Sequence, residues 1–380
     1  TWSALSTHYV DVYNAAIEIV ESRSESFRWK KTQEPTSTVS TNRKKNEPEW
    51  RKILINPSIP SSLEGISRLA KNLWWSWNQD ALDLFESIDR EVWYKVKFNP
   101  MALIEELPLE RWRDLAEDKA FMKKFKEVVT HFDKYMEAGN SRVGGQIAYF
   151  SMEYGLHDSV KIYSGGLGML AGDYIKEASD NNKNFIAVGL LYRYGYFKQE
   201  ISTFGDQVAR YYPQKFSHLP INPVRDSHDN WITISIALPG RNMYAKVWRL
   251  DVGRVPLYLL DTDIPENIEK DRSVTYQLYG GDWENRFKQE LLLGVGGIRM
   301  IEALGYKPEI YHLNEGHAAF IGLERLKDLV QKTRLSLPQA IEVVRSTSLF
   351  TTHTPVPAGH DAFSEDLLRA YIPHNAERLH

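Results

Sequence analysis

The sequence predicts an α/β fold in which a small all-helical domain precedes a domain built on a mostly parallel sheet. Residues 53–140 show helical periodicity only, whereas from residue 145 short apolar strand patterns alternate with helical ones. Such alternation is typical of parallel sheets, because each parallel connection needs a long crossover that is usually a helix. Residues 231–261 form three consecutive strand patterns with turn signals between them, which predicts an antiparallel insertion in that sheet.

Composition excludes several classes of protein. The 380 residues carry a net charge of −3, so no overall field attracts nucleic acid or an anionic membrane. The chain has no cysteine, which excludes disulfides and cysteine metal sites. No apolar run approaches the ~20 residues of a membrane-spanning helix, and no signal peptide is evident. The sequence starts at Thr1 without a methionine and stops directly after an apparent helix, so we expect a fragment of a longer protein.

The first part of the chain predicts a helix, a linker and a helical domain. Apolar residues recur at helical spacing through 1–21, whereas 22–50 is polar, charged and too poor in aliphatic residues to order itself. Within 53–140 we expect a helix over 61–77 that opens with a capping box, Ser61 with Glu64. Its predicted buried face contains Leu63, Ile66, Ala70, Leu73, Trp74 and Trp77. Further helices are predicted near 79–88 and 118–138, the last ending at Gly139.

The second domain, 145–380, is predicted as strands and helices in alternation. We expect its strands within the stretches 146–153, 184–192, 231–238, 243–250, 255–263, 308–316 and 347–361. Helices are expected over 168–180, 283–304 and 318–332, with Gly305 stopping the second of them. The first should bury one face, formed by Leu167, Leu170, Ala171, Tyr174, Ile175 and Ala178.

Polar residues collect at four strand ends. Because ligands of open α/β sheets bind outside the carboxyl ends of the strands, we expect these residues to share one edge. For any single one of them, a satisfied hydrogen bond in a loop is the simpler interpretation. The residues are Glu153 and Tyr154; Arg193, Tyr194, Lys198 and Gln199; Asn314, Glu315 and His317; and His353, His360 and Asp361.

The stretch "YSGGLGMLAGD", residues 163–173, formally matches a dinucleotide-binding fingerprint. That motif requires a strand directly before it and an acidic residue at the end of the next strand. Here a loop precedes it and the next strand ends in Leu191, Tyr192 and Arg193, so we exclude a nicotinamide site; the lysine of a P-loop is also missing. The amides of Gly165 to Gly168, at the start of a helix, can still bind an anion or a sugar oxygen.

A metal site is not expected. His312 and His317 flank Asn314 and Glu315, but neighbouring strand residues point to opposite faces.

Five motifs, taken in order, resemble the N-terminal half of bacterial and archaeal α-glucan phosphorylases. They are "YFSMEYGL", "YSGGLGMLAGD", "GLLYRYGYFKQ", "HLNEGHAAF" and "FTTHTPVPAGHD", and the resemblance extends from residue 53 to 380. The segment "NLWWSWN", 72–78, is typical of the helical domain in that branch. Residues 1–21 are similar to the closing helix of a glycogen-synthase-like glycosyltransferase, which implies a fusion of two enzymes joined by the 22–50 linker.

The resemblance implies a GT-B architecture, of which this chain would contain the N-terminal Rossmann-like domain. It implies phosphorolysis of an α-1,4-glucan by inorganic phosphate, with retention, to give glucose 1-phosphate. It also implies pyridoxal phosphate as cofactor and a cytoplasmic location, leaves room for a homo-oligomer, and involves neither nucleic acid nor membrane. Glycogen, maltodextrin and starch remain equally open as substrates.

Matching the motifs residue by residue implies a divided site. Residues next to the phosphate and the glucosyl unit would be Gly165, Gly166, Leu167 and Gly168. His353 would bond the 6-hydroxyl of the transferred glucose, while Asn314, Glu315 and His317 would line the sugar side. Glu153 and Tyr154 would lie near the cofactor, and Arg286 beside the entrance. Ser164 and Glu315 replace residues of the animal enzymes, which leaves their contacts open.

The family's cofactor lysine has no counterpart in this chain, and neither Lys176 nor Lys198 matches its motif. We therefore expect the isolated chain to lack phosphorolytic activity. Two alternatives stay open: a non-catalytic glucan-binding or regulatory module, and a nucleotide-sugar-dependent glycosyltransferase of GT-B architecture. A lysine-bearing cofactor motif after His380 would favour the phosphorylase, its absence the binding module, and a nucleotide-sugar carboxylate motif the glycosyltransferase.

Overall fold

A computed structural model describes residues 59–137, 143–355 and 361–376. The predicted helix over 1–21, the 22–50 linker and Gly139 lie outside the described residues. Within the described ranges, none of the helices combines the length and the hydropathy required of a membrane-spanning helix.

The N-terminal described region is helical, as predicted. Its helices are α1 (Glu64–Ala70), α2 (Gln79–Ile88), α3 (Arg90–Lys95), α4 (Pro100–Glu106), α5 (Leu109–Glu117) and α6 (Lys119–Glu137). Asn78, Asp89 and Asn99 each precede a helix and accept a hydrogen bond from its first turn, which fixes where α2, α3 and α4 begin. The helices predicted near 79–88 and 118–138 are thereby confirmed.

The prediction of one capped helix over 61–77 was wrong. Ser61–Leu63 is a 3₁₀ turn, α1 begins only at Glu64, and neither start has a side-chain cap. After α1, the side chain of Asn72 accepts from the Trp74 amide at 3.0 Å and donates to the Gly253 carbonyl at 2.9 Å. These bonds end the first helix and start a 3₁₀ turn over Leu73–Trp77. The predicted face is nevertheless buried at Leu63, Ile66, Ala70, Leu73 and Trp74, with Trp77 partly exposed.

In the described residues from 143 onward, the second region has ten strands. They are β1 (Val143–Phe150), β2 (Lys183–Leu190), β3 (Lys198–Ile201), β4 (Gln207–Arg210), β5 (Ile221–Pro223), β6 (Thr233–Leu238), β7 (Arg241–Val252), β8 (Val255–Asp261), β9 (Ile310–Asn314) and β10 (Ser348–Thr351). The main sheet has the order β10-β9-β1-β2-β8-β7-β5, with β6 also paired to β7. Strands β10, β9, β1, β2 and β8 are mutually parallel, whereas β5, β6 and β8 pair antiparallel to β7. The predicted fold class, a mostly parallel sheet with an antiparallel insertion, is confirmed.

The helices of this region cover the sheet. They are α7 (Gly166–Asp180), α8 (Glu269–Arg272), α9 (Trp283–Leu291), α10 (Gly297–Ala303), α11 (Ile321–Thr333), α12 (Leu337–Ser346) and α13 (Glu365–Ala376). The long helix predicted over 283–304 is present as α9 and α10, joined by a π-helical turn at Leu292–Gly296. It ends just before Gly305, whose φ of 74° is left-handed, as the sequence predicted.

Helix α7 buries the predicted face only in part: Ala171, Ile175 and Ala178 are buried as predicted, and Leu167 and Tyr174 are partly exposed. Leu170 is 47% exposed, whereas Gly168, Ala171, Gly172 and Ile175 are buried. A Cβ at Gly172 would lie 2.0 Å from the Gly155 carbonyl oxygen. The small residues therefore let α7 approach the loop after β1 more closely than its leucines would, and the helix is rotated accordingly.

Candidate functional site

The carboxyl ends of β1, β9 and β10 meet at one edge of the sheet. The register places Leu313 beside both Phe150 and Phe350. Just beyond these positions, Asn314 donates from Nδ2 to Ser151 Oγ at 3.0 Å, and its Oδ1 contacts Nε2 of His353. The chain after β9 thus joins the chains after both neighbouring strands, as the strand order requires.

Glu315 organises the loop that follows β10. Its carboxylate accepts hydrogen bonds from the backbone amides of His353 and Thr354, the latter at 2.8 Å. Glu315 itself has a φ of 63° and a ψ of −173°, a conformation that non-glycine residues rarely adopt. Asn314 and Glu315 are at most 1% exposed, so their side chains support the His353 loop from beneath.

The glycine stretch between β1 and α7 is held by Glu153. One oxygen of this carboxylate, Oε2, accepts from the amides of Ser164 at 2.7 Å and Gly165 at 3.2 Å. Helix α7 starts at Gly166, and a Cβ added at Gly165 or Gly166 would meet no atom within 4 Å. The Gly165 amide, predicted to be free for a ligand, is therefore already bonded, while the outer face of the loop is bare. We call Glu153 and residues 164–168 the glycine wall.

Tyr154 belongs to the core. Its side chain is 1% exposed, and its hydroxyl lies 2.8 Å from the Val188 carbonyl oxygen and 3.1 Å from that of Tyr149. Burial raises the pKa of Tyr154 well above its ordinary value. Its structural role is to brace β1 against β2 from within.

Across from the glycine wall, α9 contributes two buried charged side chains, Arg286 and Glu290, to a cluster of titratable groups. The Arg286 guanidinium donates from Nε to Asp361 Oδ2 at 2.8 Å and lies 3.4 Å from Glu290 Oε1. It also stacks 4.3 Å from the ring centre of Tyr279. His317 Nε2 lies 4.0 Å from the same Asp361 carboxylate. We call Arg286, Glu290, His317 and Asp361 the charged wall.

The groups of the charged wall set one another's ionisation. Burial, together with a hydrogen bond to Asp361, raises the pKa of Glu290 well above its ordinary value. Burial opposes ionisation of Asp361 too, but the hydrogen bond from Glu290 and the charge of Arg286 hold the pKa of Asp361 below its usual value. Burial and then the charge of Arg286 lower the pKa of His317. The charged wall therefore combines a guanidinium and a carboxylate whose ionisation is favoured with an imidazole and a carboxyl whose ionisation is disfavoured.

The two walls enclose a cavity of about 520 Å³. Its lining consists of Glu153, Leu167, Tyr279, Gly281, Asp282, Trp283, Arg286, His317, Thr354 and Asp361. Four of these, Glu153, Leu167, Arg286 and His317, were predicted as site residues from the sequence. The other predicted site residues, including His353, lie at the same edge of the sheet but are not part of the lining.

The structure does not bring every predicted strand-end residue to the cavity. Arg193 packs 5.5 Å from the ring centre of Phe216, and Lys198 and Gln199 belong to the separate β3–β4 hairpin. His360 lies outside the described residues.

Sequence reasoning missed the "YGGDW" segment, 279–283, which forms one side of the cavity. Tyr279 and Gly281 both have positive φ values, of 56° and 85°, and Trp283 is 61% exposed. An aromatic residue on either side of a Gly-Gly pair was the available signal, since glycines mark sharp turns and exposed aromatic rings mark binding surfaces.

Three atoms of the charged wall are buried without a hydrogen-bond partner in the described part of the chain. They are Arg286 Nη1, Glu290 Oε1 and His317 Nδ1. Because buried polar atoms in proteins are nearly always paired, a group of such atoms beside a cavity indicates a surface that can bind polar ligand atoms or water.

Comparison with known proteins agrees with this architecture. Residues 59–160 match a family described as a protein of unknown function, DUF3417. The maltodextrin phosphorylase of Thermococcus litoralis is 43% identical over 316 residues, which are 81% of this chain and 38% of that protein. The chain is homologous to bacterial and archaeal glycogen and maltodextrin phosphorylases.

Two glycogen phosphorylases extend this comparison. That of Mycobacterium tuberculosis is 41% identical over 341 residues, and that of Aquifex aeolicus is 38% identical over 296 residues. These alignments cover 85% and 77% of this chain but 39% and 42% of the two phosphorylases. The chain therefore spans about two fifths of the length of the phosphorylases it matches, and the recognised resemblance is confirmed to that extent.

Proposed function

We propose that this chain forms the sugar-side half of an α-glucan phosphorylase site. The reaction would be phosphorolysis of an α-1,4-glucan by inorganic phosphate to glucose 1-phosphate, with retention of configuration. The observation that carries the proposal is the cavity between the glycine wall and the charged wall, at the carboxyl edge of the sheet, in a chain homologous to glycogen and maltodextrin phosphorylases.

The glycine wall supports a role in holding an anion and a sugar ring. Bare backbone at Gly165 and Gly166 permits close approach of a ligand, since no side chain projects there. The first amides of α7 have no partner within the helix, and the positive end of the helix dipole lies at this terminus, which favours phosphate oxygens. Amides fixed before the reaction stabilise developing charge without reorganising, which is how such donors lower a barrier.

The His353 loop supports recognition of the sugar. Asn314 contacts the imidazole, and Glu315 holds the amides of His353 and Thr354, so the loop is fixed before a ligand arrives. Preorganised polar groups of this kind orient a hydroxylated ligand at small entropic cost. We assign His353 to the 6-hydroxyl of the transferred glucose, and His317 and Arg286 to the polar lining of the cavity.

Pyridoxal phosphate is the cofactor implied by the relatives, and the glycine wall fits one side of such a group. Glu153 and the amides of Gly166, Leu167 and Gly168 would contact it, and a cradle without Cβ atoms at Gly165 and Gly166 leaves room for it. The cofactor's phosphate would supply the proton exchanged with the substrate phosphate. The attachment lysine lies outside this chain, so the residues here would bind and orient rather than anchor it.

Three further assignments belong to the same proposal. Residues 53–140 and 145–380 act as a helical domain and the first catalytic domain, and 1–21 closes a glycosyltransferase-like domain that precedes the 22–50 linker. The protein acts on glucan and phosphate in the cytoplasm, and it has neither a nucleic-acid nor a membrane partner.

Glucose 1-phosphate release from maltoheptaose and phosphate tests the proposal, with the purified 380-residue chain and the longest natural chain that contains it measured side by side. We expect release, and the absorbance of a pyridoxal Schiff base, from the longer chain only. Release by the 380-residue chain alone would overturn the half-site assignment. Maltoheptaose binding without release by the longer chain would favour the glucan-binding module instead.

A further inference from the structure

We propose that Glu153 is a positioning residue that ties the glycine wall to the opposite side of the cavity and so sets the cavity's width. Its carboxylate lies between two segments that are distant in sequence. Oε2 accepts from Ser164 N, Ser164 Oγ and Gly165 N at 2.7, 3.2 and 3.2 Å, and Oε1 accepts from the Tyr279 hydroxyl at 2.6 Å. This inference rests on the proposed function for its relevance to catalysis, but not for its geometry.

Glu153 is held by hydrogen bonds rather than by an ion pair. It is 3% exposed, and among residues 59–137, 143–355 and 361–376 no Lys, Arg or His side chain forms an ion pair with it. A buried carboxylate without a cation must be compensated by donors, and charge-assisted hydrogen bonds from amides and hydroxyls are the strong ones. The Ser164 and Gly165 amides, together with the two hydroxyls, supply this compensation, so both segments are firmly bound to the one carboxylate.

The surrounding residues are shaped for this contact. A Cβ at Gly168 would lie 2.6 Å from Glu153 Oε2, so only glycine leaves the carboxylate its place. Tyr279 adopts a φ of 56°, an unfavourable conformation for a tyrosine, and thereby brings its hydroxyl to Oε1. Burial raises the pKa of Tyr279, and the adjacent charge of Glu153 raises it further, so the hydroxyl remains a donor.

The contact continues into the charged wall. The Arg286 guanidinium stacks on the ring of Tyr279 and bonds Asp361. A continuous chain of contacts therefore runs from the amides of Ser164 and Gly165 through Glu153 and Tyr279 to Arg286. Displacing Glu153 would release the first turn of α7 on one side and the 279–283 segment on the other.

Two substitutions distinguish the effect of the side-chain length of Glu153 from the effect of its charge. Glu153→Asp keeps the charge but shortens the side chain by one methylene, so the carboxylate no longer spans both segments. Glu153→Gln keeps the length; its carbonyl oxygen still accepts from both amides, and its amide group can donate to the Tyr279 hydroxyl. A positioning role therefore predicts that Gln preserves the geometry and Asp does not, whereas a role for the negative charge itself predicts the reverse.

Amide hydrogen exchange at Ser164 and Gly165, measured by NMR on the 380-residue chain, reports the bond directly. We expect exchange at least about tenfold faster in Glu153→Asp and within about threefold of wild type in Glu153→Gln. Glu324→Asp is the matched control, because Glu324 is 4% exposed and bonded to Arg299 far from the glycine wall. Unchanged exchange in Glu153→Asp, or equal acceleration in both variants, would overturn the proposal.

If Glu153→Asp fails to fold, Tyr279→Phe tests whether the two segments are tied together. It removes one hydroxyl, and we expect faster exchange at Gly280, whose amide bonds the Gln277 carbonyl, with Ser164 and Gly165 unchanged. Unaltered exchange at Gly280 would refute a tie between the two segments. In the longest natural chain, we expect Glu153→Asp to lower kcat for glucose 1-phosphate release at least about tenfold further than Glu153→Gln does. No release by the wild-type longer chain would defeat the proposed function alone and leave the exchange result standing.

Discussion

The glycine wall and the charged wall face the same cavity but satisfy their buried polar groups in different ways. In the glycine wall, one carboxylate is matched by four hydrogen-bond donors, and Gly165 and Gly166 present backbone without a side chain. In the charged wall, Arg286, Glu290 and His317 each keep a buried polar atom that has no hydrogen-bond partner in the described residues. The buried polar groups of the glycine wall are thus paired within the protein, whereas those of the charged wall can still bind polar ligand atoms or water. A surface of fixed backbone thus faces a surface of polar side chains that set one another's ionisation.

Arg286→Ala is expected to have the largest effect on stability, because it removes the only cation of the charged wall. The partly exposed Asp361 carboxylate would then keep only its hydrogen bond with Glu290, and the free energy of unfolding should fall by about 3 kcal/mol, the lower end of the cost for a broken buried pair. Urea denaturation measures this loss. Arg345→Ala is the control, since the Arg345 side chain is 77% exposed and its loss should cost less than about 0.5 kcal/mol. Equal losses in the two variants would remove the distinction between this wall and ordinary surface charge.

The next largest effect should be a dependence of stability on pH, which arises from His317 of the charged wall. The pKa of His317 is lowered in the folded protein, so below its ordinary value the unfolded chain binds a proton that the folded chain does not. The folded state should therefore lose stability as pH falls below about 6.5, by up to about 1.4 kcal/mol per pH unit from this residue. His317→Gln should lack that component. Urea titrations at pH 7.5, 6.0 and 5.0 would show parallel curves for the two proteins if His317 has no such role.

Gly168→Ala tests the close packing of the glycine wall. Its Cβ would lie 2.6 Å from Glu153 Oε2 and 2.7 Å from Tyr163 Cβ, so the carboxylate or the helix start must shift. We expect a loss of about 1–3 kcal/mol in the free energy of unfolding, despite the better helix propensity of alanine. A thermal melt that shows wild-type stability would mean that Glu153 is free to move.

Gly166 should give the smallest change in stability and serves as the partner of Gly168. A Cβ there meets nothing within 4 Å, so Gly166→Ala should stay within about 0.5 kcal/mol of wild type. A bulkier residue, as in Gly166→Leu, should still spare the fold but abolish turnover in the longest natural chain, because its side chain would occupy the bare face. Full glucose 1-phosphate release by Gly166→Leu would show that the loop is a tight turn without a role in ligand binding.

Hydrophobic periodicity predicted the fold more fully than the position of polar residues at strand ends predicted the site. The alternation of strands and helices predicted the parallel sheet and its antiparallel insertion, because periodicity depends on which faces are buried. Grouping polar residues by strand end brought Glu153, Asn314, Glu315 and His353 to one edge correctly. It could not separate the cavity lining from its supports, because Asn314 and Glu315 face inward through contacts with His353 that only the three-dimensional loop creates.

Other failures share a physical cause. Leu170 was assigned to a buried face by spacing, but close packing of Gly172 on Gly155 rotates α7 and leaves Leu170 exposed. The capping box at Ser61 fitted the sequence rule, yet a 3₁₀ turn intervenes before α1. In both cases contacts between segments distant in sequence, or the exact backbone path, override a local preference.

The backbone and the side chain of Glu315 have opposite effects on stability. Its left-handed conformation costs about 1–3 kcal/mol in a residue with a side chain, a cost that glycine would avoid. Glu315→Gly would relieve this cost but would remove the carboxylate that secures the His353 and Thr354 amides. A side chain at this position therefore fixes the His353 loop at the expense of a strained backbone.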